Sequence, residues 1–360
     1  MILTTVTTHI LYIGIITVAF CFVFLSQHVT TSANSISISN NIYNYAELGM
    51  LLISFIILVY PLAARTCGAD TEEYYRIYTR DFIGNIDITF NYICKFLHSF
   101  IASPKIGLGL ISATTLLIAF HSIITLKNTI DVQISFLAYF TTIYFYLYNY
   151  MRIMVAVSLI LLGYSLLIRN KRIEAIIPLC LAVLFHKSAA VVLLVYMGIL
   201  CFRKHKILIV SACGLFLVIF IMKPMAFLSL ISSERYSSQI DYYAVTRGGI
   251  GVGTTLRILP FFVLLFIYRY LKDEFVYEAS FYFCIANLMF SFLGYYVSTA
   301  SRISNMYFVF HTIFFLPWIL KRDNNTTRRN IVAVFGVLYL LVSYYMITRN
   351  FSMMKIIPYA

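Results

Sequence analysis

Residues 169–206 read RNKRIEAIIPLCLAVLFHKSAAVVLLVYMGILCFRKHK, and this stretch decides how the chain is organised. Two basic clusters, Arg169-Asn170-Lys171-Arg172 and Arg203-Lys204-His205-Lys206, flank two short apolar runs that meet at His186-Lys187-Ser188. Cytoplasmic loops of membrane proteins collect Lys and Arg, which predicts both clusters on one inner side. The chain then crosses and returns between them, and the turn at His186 faces outward or sits deep in the bilayer. The runs 174–186 and 188–202 are too short for full crossings of ~30 Å of hydrocarbon. Two half-helices meeting in a turn account for them, because irregular backbone at membrane depth is tolerated only inside protein. Ionisable residues at such depth are costly, which marks His186 as a candidate site residue.

Composition agrees. Of 360 residues, 61% are hydrophobic and 11% charged, and the mean hydropathy is +0.87, far from a soluble domain. The pattern predicts an all-α, polytopic transmembrane bundle of about twelve spans, forming a single integral membrane domain over 1–360. The spans are expected near 8–26, 45–64, 105–126, 132–149, 152–168, 174–186, 188–202, 206–228, 254–271, 276–299, 301–320 and 330–348. The first run lacks a basic leader and reads as a permanent span. The net charge of +13 does not call for nucleic acid; short basic loops fix orientation and meet anionic headgroups. Seven Cys without C-x-x-C spacing argue against zinc or a disulfide framework, although Cys67 and Cys94 could pair in an external loop.

Placing 169–172, 203–206 and Lys321-Arg322…Arg328-Arg329 inside puts both termini and the loops 65–104 and 229–253 outside. Arg65, Arg76, Arg80, Arg152, Lys187, Arg235, Arg247 and Arg302 then form a surplus of external cations, for which an anionic ligand is the natural reason. Arg152 and Arg302 each sit at a span end, where an Arg also snorkels to headgroups. A guanidinium equally suits a diphosphate, because its planar fork donates two parallel hydrogen bonds to phosphate oxygens. In Arg65-Thr66-Cys67-Gly68-Ala69-Asp70-Thr71-Glu72-Glu73-Tyr74, Asp70 is placed to cap a helix starting near Thr71. Asp70 is also a candidate general base, as is His186 if its pKa lies near neutral. The 229–253 loop carries Tyr242 and Arg247 beside several glycines that fit neither a P-loop nor a dinucleotide fold, and reads as a flap over an external cavity. Tyr139, Tyr144, Tyr146, Tyr148, Tyr150, Tyr295 and Tyr296 are expected in packing and an interfacial belt.

The order Arg65…Gly68-Ala69-Asp70…Tyr74, then Asn149-Tyr150-Met151-Arg152…Ala156, then Phe185-His186-Lys187-Ser188-Ala189 resembles the EpsG-like family of Wzy-type O-antigen and exopolysaccharide polymerases. Two positions depart from the family pattern: Ile153 stands where Gln is common after the span-opening Arg, and Ala69 where Thr is common before Asp. The resemblance implies a GT-C-like, metal-independent glycosyltransferase of the bacterial cytoplasmic membrane, without cofactor, whose active site faces the periplasm or exterior. It would move a glycan from polyprenyl diphosphate onto the hydroxyl of an incoming lipid-linked repeat unit. A chain-length regulator is an open further partner. On that reading Arg152, Asp70 and His186 are the catalytic candidates, and Arg65, Arg247, Arg302, Tyr74 and Tyr242 the substrate-binding ones. A flippase of lipid-linked oligosaccharide would share the broken helices and basic cavity, and a membrane acyltransferase using His186 is a third alternative.

Overall fold

The computed structural model describes residues 2–35, 40–65, 70–79, 88–202, 252–271, 274–293, 303–304, 306–307 and 309–348. The elements are α1 (Ile2–Ser35), α2 (Asn40–Ala64), α3 (Thr71–Thr79), α4 (Ile88–His98), α5 (Pro104–Ile124), α6 (Val132–Thr142), α7 (Met151–Ile168), α8 (Ile176–Phe185) and α9 (Ala190–Phe202). After them come α10 (Val252–Ile267), α11 (Phe275–Leu293), α12 (Leu316–Arg322) and α13 (Thr326–Thr348). Among the described residues, five segments are long and apolar enough to cross a membrane: Thr7–His28, Tyr45–Ala64, Pro104–Ile124, Met151–Ile168 and Phe275–Leu293. The fold is therefore that of a polytopic helical membrane protein. Large apolar side chains such as Leu52, Ile56, Leu110 and Leu117 remain exposed on these helices, as lipid-facing surfaces require.

The backbone divides into two compact units, Met1–Lys187 with Thr312–Ala360, and Ser188–His311. In the first, α1 packs on α2, α2 on α5, α5 on α7 and α7 on α8. Facing pairs set the directions of these helices. Ala63 meets Gly109 and Phe55 meets Phe120 at 5.8 Å, so α2 and α5 are antiparallel. The Ser135 hydroxyl donates to the Ile313 carbonyl at 2.6 Å, and the Asp131 N–H donates to the Pro317 carbonyl at 3.0 Å. Hence α12 runs antiparallel to α6 and carries Lys321 and Arg322 toward the Asp131 end. Tyr164 lies against Phe314 at 6.3 Å, so the last turns of α7 reach that same end. The Arg169–Arg172 and Lys321–Arg329 clusters thus share one end of this unit, and Arg65 and Arg152 share the other.

Local chemistry starts and stops these helices. Asp131 caps α6, accepting the Ile134 N–H at 3.2 Å, and Pro104 opens α5 at a position where its missing N–H costs nothing. The apolar run expected to be one span over 132–149 is instead broken. α6 ends at Thr142 and gives way to a 3-10 turn at Tyr144–Tyr148. Tyr139, Tyr144, Tyr146 and Tyr148 are all buried, so these tyrosines serve packing and not a lipid-facing belt. The expected break at His186 is present: α8 stops at Phe185, His186 is extended, and a 3-10 turn covers Lys187–Ala189.

Ser188–His311 is built on α11, against which α9 and α10 pack. The Tyr277 hydroxyl donates to the Leu265 carbonyl at 2.7 Å. Ser304 hydrogen bonds to Asn287 and to Ser291 at 2.8 Å, so these three buried polar side chains satisfy one another within the unit.

Segment 65–104 holds α3 and α4, both packed on α5. The contact is close at Gly107, where a Cβ would stand 2.1 Å from the Tyr78 hydroxyl. That hydroxyl is pinned to the Ile101 carbonyl at 2.8 Å and cannot yield without losing its bond. Gly107→Ala should therefore lower stability by about 1–3 kcal/mol through overpacking, visible as a lower thermal midpoint in detergent. An unchanged midpoint would contradict this packing of α3 on α5.

Candidate functional site

Five of the sequence-derived site residues, Arg65, Asp70, Tyr74, Arg152 and His186, come together at the end of the first unit remote from the basic clusters. Arg65 follows the last turn of α2 and is 2% exposed. Its Nη1 donates to the Leu147 carbonyl at 2.7 Å, and its Nη2 lies 3.9 Å from the Met151 sulfur. Leu147 belongs to the 3-10 turn, whose carbonyls have lost their helical donors; in an apolar setting such groups must find partners inside the protein. The Tyr144 hydroxyl reinforces the turn, donating to the Leu58 carbonyl at 2.8 Å. Arg65 thus braces the backbone that leads into Arg152.

Asp70 precedes α3, and its carbonyl accepts the Tyr74 N–H at 2.9 Å, the first bond of the helix expected near Thr71. Its own N–H donates to the Asn149 Oδ1 at 3.0 Å. Asn149 is 3% exposed and ties the start of α3 to the start of α7. In the sequence Asn149 stands within the Asn149-Tyr150-Met151-Arg152 motif with no task of its own; its place two residues before a helix start is the signal for one.

Arg152 lies in the first turn of α7, with its guanidinium carbon 5.9 Å from the Tyr74 ring centroid, within cation–π range. Burial raises the Tyr74 phenol above its usual pKa; a hydrogen bond and the positive charge of Arg152 oppose that shift, while the Asp70 carboxylate adds to it. Tyr74 is therefore a neutral phenol at physiological pH, held between a cation and an anion. It also packs edge-on against Phe90 of α4 at 5.7 Å. Cys94, one turn along α4, is fully buried. Burial raises its thiol to about 12, against a smaller opposing pull from Arg152. Cys94 is a free thiol, which decides against the pairing with Cys67 that the sequence left open; a side chain facing the Arg152 cluster from inside α4 is not presented to a loop disulfide.

His186 joins from the other side. Gly163 faces the Leu179 side chain and the Ala175 carbonyl, so α7 and α8 are antiparallel with 163 level with 175–179. The same register sets His186 level with 152–156, so along the helix axis it lies within about one turn of Arg152. Helix α4 packs on α8 as well as on α3, closing the group. Arg247, Arg302 and Tyr242 lie outside the described residues. Among the described residues no three His, Cys, Asp or Glu side chains gather where they could share a metal ion.

The sequence model of the EpsG family matches residues 48–360, a span that contains every residue of this cluster. The chain belongs to the EpsG family. EpsG proteins are Wzy-like polymerases for exopolysaccharide and O-antigen, and the family match together with the apolar helices makes this a membrane protein of polysaccharide biosynthesis. No curated protein and no solved structure matches the chain.

Two outcomes check this geometry. Arg65→Leu leaves the Leu147 carbonyl without its donor and should cost about 1–3 kcal/mol, read as a lower thermal midpoint; a midpoint equal to the unaltered protein would rule out the brace. Cys94, kept as a protonated thiol, should resist maleimide at pH 8 in the folded protein and react once it is unfolded. Mass spectrometry reads the modified position, and rapid labelling of folded protein would show that Cys94 does not lie inside this group.

Proposed function

We propose that this EpsG-family chain polymerises lipid-linked repeat units, transferring a growing glycan from polyprenyl diphosphate to a hydroxyl of the incoming unit at the outer face of a bacterial cytoplasmic membrane. The observation that carries the proposal is Arg152 held against Tyr74 beside Asp70, at the end opposite the basic clusters, in a chain of this family. By the positive-inside rule that end is the exoplasmic one, where lipid diphosphates are presented without nucleotides.

The chemistry is displacement at an anomeric carbon. The acceptor hydroxyl oxygen forms a bond to that carbon, the bond from carbon to the diphosphate oxygen breaks, and the diphosphate leaves with the electron pair. The hydroxyl proton passes to a base, for which Asp70 and His186 are the proposed candidates. Negative charge grows on the leaving group during the step, and a preorganised guanidinium aimed at it lowers the barrier. Tyr74 limits the rotamers open to Arg152, so less reorganisation is needed when the diphosphate arrives. Arg65, braced on Leu147, supports the position of Arg152 from beneath; Arg247, Arg302 and Tyr242 remain proposed substrate contacts.

In this reading Arg152→Ala should reduce chain elongation by about 10²–10³-fold, assayed with purified protein and a lipid-linked repeat unit, while the variant still accumulates in the membrane. Normal polymer length from that variant would remove Arg152 from the site. An enzyme of this kind lengthens chains in detergent, whereas a flippase does nothing measurable without two compartments. The orientation is tested separately: reporter fusions after Arg172 and after Lys206 should both report cytoplasm, and opposite signals would overturn the topology.

A further inference from the structure

Helix α4 has an unusual division of faces. Tyr92 and Phe96 point outward at 65% and 63% exposed, and Phe100 just beyond the helix is 75% exposed. Exposed aromatics beside Lys95 are the residue types suited to a membrane interface. The opposite face carries Phe90, Asn91, Cys94 and His98, whose spacing of three and four residues puts them on one side. Phe90 packs on Tyr74, and Tyr74 holds Arg152, so this polar face is turned toward the Arg152 group. Both ends of the Asn91 carboxamide, Oδ1 and Nδ2, are buried and have no hydrogen-bond partner among the described residues. The Nδ1 of His98, two turns along the same face, is likewise buried and unpartnered. Unpaired buried polar groups work against folding and are uncommon in native proteins, so each needs a reason.

We infer that Asn91 is a glycan-contacting residue, its carboxamide pairing with sugar hydroxyls of the repeat unit whose diphosphate Arg152 takes. This rests on the polymerase reading. A carboxamide offers one acceptor and two donor hydrogens, and a sugar hydroxyl both donates and accepts, so one Asn can engage neighbouring hydroxyls in both senses. The same group is a poor match for a diphosphate, which only accepts and is served by guanidinium. The division of labour follows: cation for the leaving group, neutral amide for the sugar beside it. His98 extends the polar stripe along the direction in which a glycan of more than one residue would lie. A site with a buried amide waiting for a hydroxyl discriminates sharply against a sugar lacking it, because the amide is then left unpaired. Asn91 would therefore help set which repeat unit is accepted.

The test compares the full-length protein with Asn91→Leu, of similar volume but without the polar ends. The probe is the oligosaccharide released by mild acid from the host's own lipid-linked repeat unit. Without sugar, the Leu variant should melt higher than the unaltered protein, since an unsatisfied amide has been removed. With sugar, the unaltered protein should gain thermal stability, and the Leu variant should need about ten-fold more ligand for the same gain, equivalent to about 1.4 kcal/mol. Equal response of the two proteins overturns the inference, and so does the absence of any response in the unaltered protein. If the Leu variant does not fold, Asn91→Ser replaces it, with the same ten-fold loss expected and an unchanged response counting against. Elongation is measured in parallel. Sugar binding that depends on Asn91 in a protein that lengthens no chains would refute the polymerase reading and leave the Asn91 contact in place.

Discussion

The structure depends on a guanidinium satisfying a carbonyl where a helix fails. A chain that crosses a membrane must pair its backbone polar groups internally, yet Tyr144–Tyr148 abandons the α-helical pattern. Arg65 answers for the Leu147 carbonyl at 2.7 Å, and Tyr144 turns its hydroxyl onto Leu58 at 2.8 Å. The break ends at Met151, so α7 starts with Arg152 in its first turn. Had α6 continued unbroken, Arg152 would stand well above the bundle end and could not lie against Tyr74. One buried cation thereby positions a second.

A second constraint ties two distant stretches of chain together. The Asp70 N–H and the Asn149 amide oxygen meet at 3.0 Å, joining the start of α3 to the start of α7. Tyr74, one turn into α3, then meets Arg152, one position into α7. Antiparallel packing of α7 on α8 through Gly163 returns His186 to the same level. Helix α4 covers the group from the side and lies against α8. The candidates on α7 and after α8 are held by direct packing of those two helices. Those after α2, before α3 and on α3 are tied to the start of α7 by side-chain contacts, which is how a site keeps its geometry in an apolar surrounding.

Much of this was legible in the sequence, for identifiable reasons. The break at His186 was visible because two runs of apolar residues were each too short to cross and basic clusters bounded both. The start of α3 at Thr71 followed from the Asp70-Thr71-Glu72-Glu73 series, a common helix opening. Arg65 and Arg152 stood out as cations beside apolar runs, although their different tasks did not. The break at Tyr144–Tyr148 was not legible: it contains no Pro, Gly or charge, and the residue that stabilises it lies 82 positions earlier. Asn91 was hidden for a related reason. A lone Asn between Phe90 and Tyr92 reads as a surface position until the fold turns the tyrosine outward and the amide in. Whether Cys94 pairs was left open by the sequence, because only the packed helix shows that its thiol is buried.

The proposed chemistry turns on Arg152 taking the diphosphate of the lipid carrier. The most direct measurement is an experimental structure of the protein with polyprenyl diphosphate bound in a lipid nanodisc. Phosphate oxygens should lie about 3 Å from the Arg152 guanidinium, beside Tyr74 and under α4, with the isoprenoid tail leaving between helices into lipid. A diphosphate bound at the Arg169–Arg172 end, or an Arg152 side chain turned away from Tyr74 toward headgroups with no phosphate beside it, would rule this role out.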